Sequence, residues 1–148
     1  MSMYQQLLAK QRAFFATGKT KSIEFRISQL TKLRQVVIEK HTDVEASLNK
    51  DLKKSEFEAF ATEVTAMIDE INAAIGQLES WMKPVDTDTP PLFGQAESKI
   101  YYEPYGTVLI LNTWNYPFVL CFKPLVGALA AGNCCVVKPS EVAPATSK

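Results

Sequence analysis

Proline is absent from the first 83 residues of this chain and then occurs eight times between Pro84 and Pro144. The same first stretch holds only two glycines, Gly18 and Gly76. Relative to alanine, a helix interior loses about 1 kcal/mol at glycine and about 3 kcal/mol at proline. A stretch nearly free of both is open to long helices. Residues 1–83 also carry 23 charged residues, 12 basic and 11 acidic, against 9 in residues 84–148. Charge-rich sequence with 3.6-residue apolar spacing predicts surface helices. The apolar remainder, broken by Gly and Pro, predicts strands, turns and one buried helix. Three parts are therefore expected: a helical segment over 1–83, a linker with a short strand over 84–104, and the start of an α/β domain over 105–148.

The bulk numbers exclude several classes of function. Sixteen basic and sixteen acidic residues leave a formal charge of zero, so general attraction to nucleic acid or an anionic membrane has no basis. Cys121, Cys134 and Cys135 are odd in number and lack framework spacing, which excludes a disulfide scaffold. Free thiols point to a reducing compartment and a cytoplasmic location. The N-terminal MSMYQQLLAKQRAFF has neither the apolar run nor the small-residue cleavage site of a secretory signal. The most apolar region, 105–137, is interrupted by Asn112, Asn115, Pro117, Lys123, Pro124 and Asn133, and is no membrane span. A chain of 148 residues is the size of one ordinary domain.

Cap signals divide the first part. Tyr4, Leu7, Leu8, Gln11, Phe14 and Phe15 mark a first helix ended by Gly18. Ser22 caps a second, with Phe25, Leu30, Leu33, Val36 and Val37 apolar. Thr42-Asp43-Val44-Glu45 fits a capping box that opens a short third helix. Ser55-Glu56-Phe57-Glu58 opens a long fourth. Its inward residues by period are Phe57, Phe60, Val64, Met67, Ile68, Ile71, Ile75, Leu78, Trp81 and Met82.

After a linker at 84–96, a short strand is expected over 98–103. Thr107–Leu111 and Cys134–Val137 are β-branched, apolar runs of strand length. Between them, 118–131 reads as a buried helix closed by Gly132-Asn133. Strand, loop, helix and strand make a right-handed βαβ unit, with strands apolar on both faces as in a parallel sheet covered by helices. Ligands of such sheets lie beyond the carboxyl ends of the strands. Two polar clusters fall there: Asn112–Asn115 and Lys138–Glu141. The amide of Asn115 can donate to an oxyanion on a substrate carbonyl, or it can cap the next helix. Lys138 and Glu141 can hold a ribose diol, or form a surface ion pair in a turn. Neither G-x-G-x-x-G nor a Walker A pattern is present. Cys134 and Cys135, adjacent on a strand, point to opposite faces and cannot share one metal. Together with Cys121 they read as structural thiols, and His41 as an exposed helix-end residue. No metal site is expected. A helix is just starting at Pro144 when the sequence stops, which suggests the front piece of a longer protein.

The segments EPYGTVLILNTWNYPF and GALAAGNCCVVKPSE, from Glu103 to Glu141, resemble the aldehyde dehydrogenase superfamily. Ser22-Ile23-Glu24-Phe25-Arg26 and the helical N-terminus look like its class-3-like, fatty-aldehyde branch. The resemblance implies N-terminal helices followed by the first βαβ unit of a Rossmann-like parallel sheet, here incomplete. It implies oxidation of an aldehyde substrate to a carboxylic acid with NAD or NADP, in a full-length homodimer. By position, Asn115 would be the oxyanion-hole amide, Lys138 and Glu141 would hold the adenosine ribose, and Thr113 and Trp114 would line the cofactor. Tyr105 and Cys134-Cys135 stand where the family commonly has smaller aliphatics. The family's nucleophilic Cys and general-base Glu lie in later motifs that are absent here, so this chain alone is expected to be inactive. A membrane anchor past residue 148 stays open. The alternatives are a non-catalytic nucleotide-binding fragment and a helical interaction module built on residues 1–83.

Overall fold

The computed structural model describes residues 2–148. Helix α1 (Met3–Ala16) starts at Ser2 in a full capping box: Ser2 Oγ accepts from the Gln5 amide at 3.3 Å, and Gln5 Oε1 accepts from the Ser2 amide at 2.8 Å. Gly18, with φ of 74°, ends the segment, since a left-handed residue costs glycine nothing. The apolar stripe of α1 is not buried, and Met3 and Tyr4 are open to solvent. Phe15 reaches back, its ring lying over Gly106.

Ser22 caps α2 (Ile23–Glu39) through the Phe25 amide at 3.1 Å. Leu30 and Val37 of α2 are buried, while Val36 faces outward. Helix α3 (His41–Leu52) begins before the Thr42 box expected to open it: Lys40 is the first flanking residue and no side chain caps the helix. Its end is Lys53, a non-glycine residue at φ 59°. This left-handed turn leads directly into Lys54, whose carbonyl accepts from Asn49 Nδ2 at 2.9 Å.

The long fourth helix is not continuous. A single turn, α4 (Glu56–Ala59), follows the Ser55 cap and gives way to a π-helical turn at Phe60–Val64, then α5 (Thr65–Trp81). A π turn inserts one residue, which rotates the upstream face by about 100°. The period reading therefore fails on the upstream side: Phe57 and Phe60 are exposed, while Ala59 and Glu63 are buried. Trp81 and Met82 are half-exposed as well, lining an open cavity with Val85 and Tyr102 and not the core. From Val64 onward the stripe holds, with Met67, Ile71, Ala74 and Leu78 buried. Each of the larger side chains contributes roughly 1.5–3 kcal/mol by leaving water.

The segment 84–104 holds more structure than a linker. β1 (Val85–Thr87) pairs antiparallel with β2 (Ser98–Ile100), and β2 stops short of the expected Glu103. β3 (Thr107–Leu111) then pairs parallel with β4 (Cys134–Lys138), in register from Thr107↔Cys134 to Leu111↔Lys138. Helix α6 (Val119–Ala130) connects them and joins α2 and α5 in one core of Leu30, Met67, Ile71, Leu78, Phe118 and Val126. Pro124 lies inside α6 and leaves the Leu120 carbonyl without its helical donor. Helices α1 and α6 both pack against the strand pair, but the helix cover is incomplete. Ile110 is buried, but Leu109 and Leu111 are 61% and 68% exposed. Strand alternation puts these two opposite Ile110, on the face that also carries the buried Cys134, so cover of that face is partial and ends before Leu109 and Leu111.

The strand starts are held by side chains. Asn133 Oδ1 accepts from the buried Gly106 amide at 2.9 Å, and the Gly106 carbonyl accepts from the Cys134 amide at 2.8 Å. Gly132, at φ 84°, sits against the guanidinium of Arg26. Arg26 in turn donates to Thr20 O at 3.0 Å and Ala130 O at 3.1 Å, tying α2 to the end of α6.

Candidate functional site

The parallel register brings the two polar clusters to one rim. The Asn112 amide, just past β3, donates to Lys138 O at the end of β4 at 3.0 Å. The loop 112–117 is closed on itself: Asn112 Nδ2 donates to Pro117 O at 2.6 Å. Within it, Thr113 Oγ1 donates to Asn115 Oδ1 at 2.9 Å. Both residues are exposed. That contact occupies the carbonyl end of the Asn115 carboxamide and leaves its NH2 without a protein acceptor among the described residues. Trp114 is half exposed beside it and makes no side-chain hydrogen bond among the described residues.

Capping of α6 by Asn115 is not what the structure shows. No residue next to the helix caps it. The cap comes from Glu63, on the π turn: its Oε2 accepts from the Phe118 amide at 2.9 Å and the Val119 amide at 3.1 Å. The other oxygen, Oε1, accepts from Lys54 Nζ at 2.5 Å. Glu63 is fully buried and Lys54 nearly so. The same ammonium lies 3.7 Å from the centre of the Tyr116 ring. Sequence patterns do not mark either residue as part of a site. A carboxylate beside the apolar positions Phe60 and Val64 is the only signal, and the helical period turns it outward.

At the second cluster Lys138 pairs with Glu141, both exposed. The hydrogen bond from Lys138 holds the Glu141 carboxyl below its usual range. Ser140 between them is buried and accepts from the Val142 amide at 3.3 Å. The turn that follows is anchored by Asp51 of α3. Its carboxylate accepts from the Ala145 and Thr146 amides and from Thr146 Oγ1, at 3.0, 2.7 and 2.8 Å. Burial alone would raise Asp51, but these bonds outweigh it and the carboxyl sits below its ordinary value.

Of the thiols, Cys121 lines a cavity with Pro117 and Pro139, at the edge of both clusters, while Cys134 and Cys135 open β4 at its far end. Cys121 and Cys134 are buried, and burial pushes both upward. Burial, with Cys134 beside it, takes Cys135 to about 11. No group of three or more His, Cys, Asp or Glu among the described residues is placed to hold a metal. No helix among them is long and apolar enough to cross a membrane.

A family model described as "Aldehyde dehydrogenase family" matches residues 3–148. The chain belongs to the aldehyde dehydrogenase family. It is 43% identical over 144 residues to 4,4'-diaponeurosporen-aldehyde dehydrogenase of Staphylococcus aureus, covering 97% of this chain and 31% of that protein. It is 42% identical over 142 residues to "Aldehyde dehydrogenase, dimeric NADP-preferring" of Canis lupus familiaris, covering 96% and 31%. Family 3 members from plants and mammals match at 40–43%, in accord with a class-3-like chain. Among solved structures, substrate-bound AldH of Staphylococcus aureus superposes with a TM-score of 0.95 at 42% identity, over 99% of this chain and 32% of that one. The chain thus spans about three-tenths of the length of the aldehyde dehydrogenases it matches.

Proposed function

We propose that this chain supplies the oxyanion-stabilising loop and part of the cofactor site of an NAD(P)-dependent aldehyde dehydrogenase that oxidises an aldehyde to a carboxylic acid. The observation that carries the reading is the state of Asn115. Thr113 holds its carbonyl and Glu63 does the capping, so its amide NH2 is left for a ligand. A preorganised donor of this kind is worth most where negative charge develops on a carbonyl oxygen.

The second cluster fits a nucleotide ribose. Lys138 offers donors and Glu141 an ionised acceptor, side by side and exposed past the carboxyl end of β4. These two residues would hold the ribose, and Thr113 and Trp114 would line the cofactor between the clusters. The cofactor supplies the hydride acceptor. The negative charge of Glu141 disfavours a 2′-phosphate and leans the site towards NAD.

The attacking thiolate is none of the three here. Two are buried and the third is held near 11, which leaves almost no thiolate at neutral pH. The chain by itself therefore turns over no aldehyde; the nucleophile and general base come from the rest of the enzyme. The full protein would act as a homodimer, like the relative named dimeric, and would lie in the cytoplasm, where free thiols persist. A helical interaction module is disfavoured, because the core of α2 and α5 runs on into α6.

The test is Asn115→Ala in the full-length enzyme. Loss of one oxyanion donor removes about 3–4 kcal/mol from the transition state. Single-turnover hydride transfer should slow by about 10²–10³, with little change in the cofactor Kd. A loss of tenfold or less in that step contradicts the role.

A further inference from the structure

Glu63 and Lys54 form an ion pair with almost no access to water, and its two ends grip different parts of one loop. One carboxylate oxygen takes the first two amides of α6, immediately after the loop. The Lys54 ammonium, bound to the other oxygen, faces the Tyr116 ring, the residue next to Asn115. Together with the Asn112–Pro117 bond, these contacts fix positions 116, 117, 118 and 119. A buried ion pair is a weak source of net stability, since desolvation offsets most of the attraction. The backbone around the pair is also shaped for it. A left-handed Lys53 precedes Lys54, and a π turn, rare and frequent at functional sites, carries Glu63.

We infer that Lys54 and Glu63 are positioning residues: from the turn after α3 and from the π turn they hold the 112–118 loop so that the Asn115 amide stays where a developing oxyanion needs it. The inference rests on the oxyanion reading of Asn115 and adds two residues to it, neither of which touches substrate. An oxyanion donor must lie within about 0.2 Å of its working distance. A displacement of about 1 Å costs up to about 10² in rate. A loosened loop should therefore cost less than removal of Asn115, but should act on the same step.

The experiment uses the full-length enzyme with Glu63→Gln, Asn115→Ala and the double variant. The substituted carboxamide keeps one acceptor and turns an NH2 towards either the ammonium or the helix amides, so the grip is broken on one side. Glu63→Gln should slow single-turnover hydride transfer about tenfold while the NAD Kd stays within twofold. Added to Asn115→Ala, it should change the rate less than twofold, because both act through one group. A rate for Glu63→Gln within twofold of wild type, or losses that multiply in the double variant, would overturn the inference. Where Glu63→Gln does not fold, the paired change Lys54→Met with Glu63→Gln carries the test, since it leaves no unpaired buried charge. Hydride transfer should then be at least fivefold slower at unchanged Kd, and a wild-type rate refutes the proposal. Should Asn115→Ala itself leave the rate unchanged, the oxyanion reading fails by that result alone. The clamp is then judged on amide exchange at Phe118 and Val119, which Glu63→Gln should accelerate at least tenfold; unchanged protection overturns it.

Discussion

Gly132→Ala should destabilise the chain by about 3 kcal/mol, and most of that should vanish when Arg26 is removed first. Two costs add. At φ 84° an alanine loses roughly 1–2 kcal/mol to a left-handed backbone, part of it returned by the lower entropy of the unfolded chain. A net loss of about 1 kcal/mol remains. The new Cβ would also lie 2.7–2.8 Å from the guanidinium atoms of Arg26. The far end of a free arginine would swing away cheaply. This one is buried and donates to Thr20 O and Ala130 O, so displacement breaks at least one charged hydrogen bond, worth about 1.5–3 kcal/mol. Urea denaturation of wild type, Gly132→Ala, Arg26→Ala and the double variant gives the cycle. The coupling should be about 2 kcal/mol, with Gly132→Ala costing only about 1 kcal/mol in the Arg26→Ala background. Equal costs in both backgrounds would show that Arg26 yields freely and that the close contact carries no energy.

Asp51→Asn should weaken the folded state at neutral pH, and the difference from wild type should close in acid. The Asp51 carboxyl is depressed in the folded state. Its contribution is therefore present above the unfolded pKa of roughly 4 and lost as pH falls through the folded value; urea midpoints at pH 7 and pH 3 check the sign. The three thiols should resist iodoacetamide at pH 8 in the folded chain and react together in urea, because burial raises all three and Cys135 stands near 11; rapid labelling of Cys135 in the folded chain would contradict that.

The βαβ unit is legible in the sequence because its signals are local. Two β-branched runs flank an apolar stretch of helical length, and Gly132-Asn133 sits where the chain turns. The positions of Asn115, Lys138 and Glu141 follow from strand ends alone. What cannot be read is anything set across the chain. The π turn has no sequence signature, so a plain helical period places Phe57 and Phe60 inward and Glu63 outward. The cap on α6 comes from a residue 55 positions earlier, and a search for local Ser, Thr, Asp or Asn can only offer Asn115. Tight pairing of β1 with β2 is hidden in a segment whose prolines read as linker.

The distant cap of α6 has a consequence for the order in which the chain organises. A helix closes its first turn at a loss, fixing several residues for one hydrogen bond. Ordinarily a neighbouring side chain offsets that loss before anything else has formed. Here the offset exists only after α3, the π turn and α5 have met, because Glu63 and Lys54 must already be in place. The entropy of closing so long a loop falls on that meeting, and it grows only slowly with length. The start of α6, and with it the loop that bears Asn115, is thus secured by a tertiary contact and not by its own neighbours in the chain.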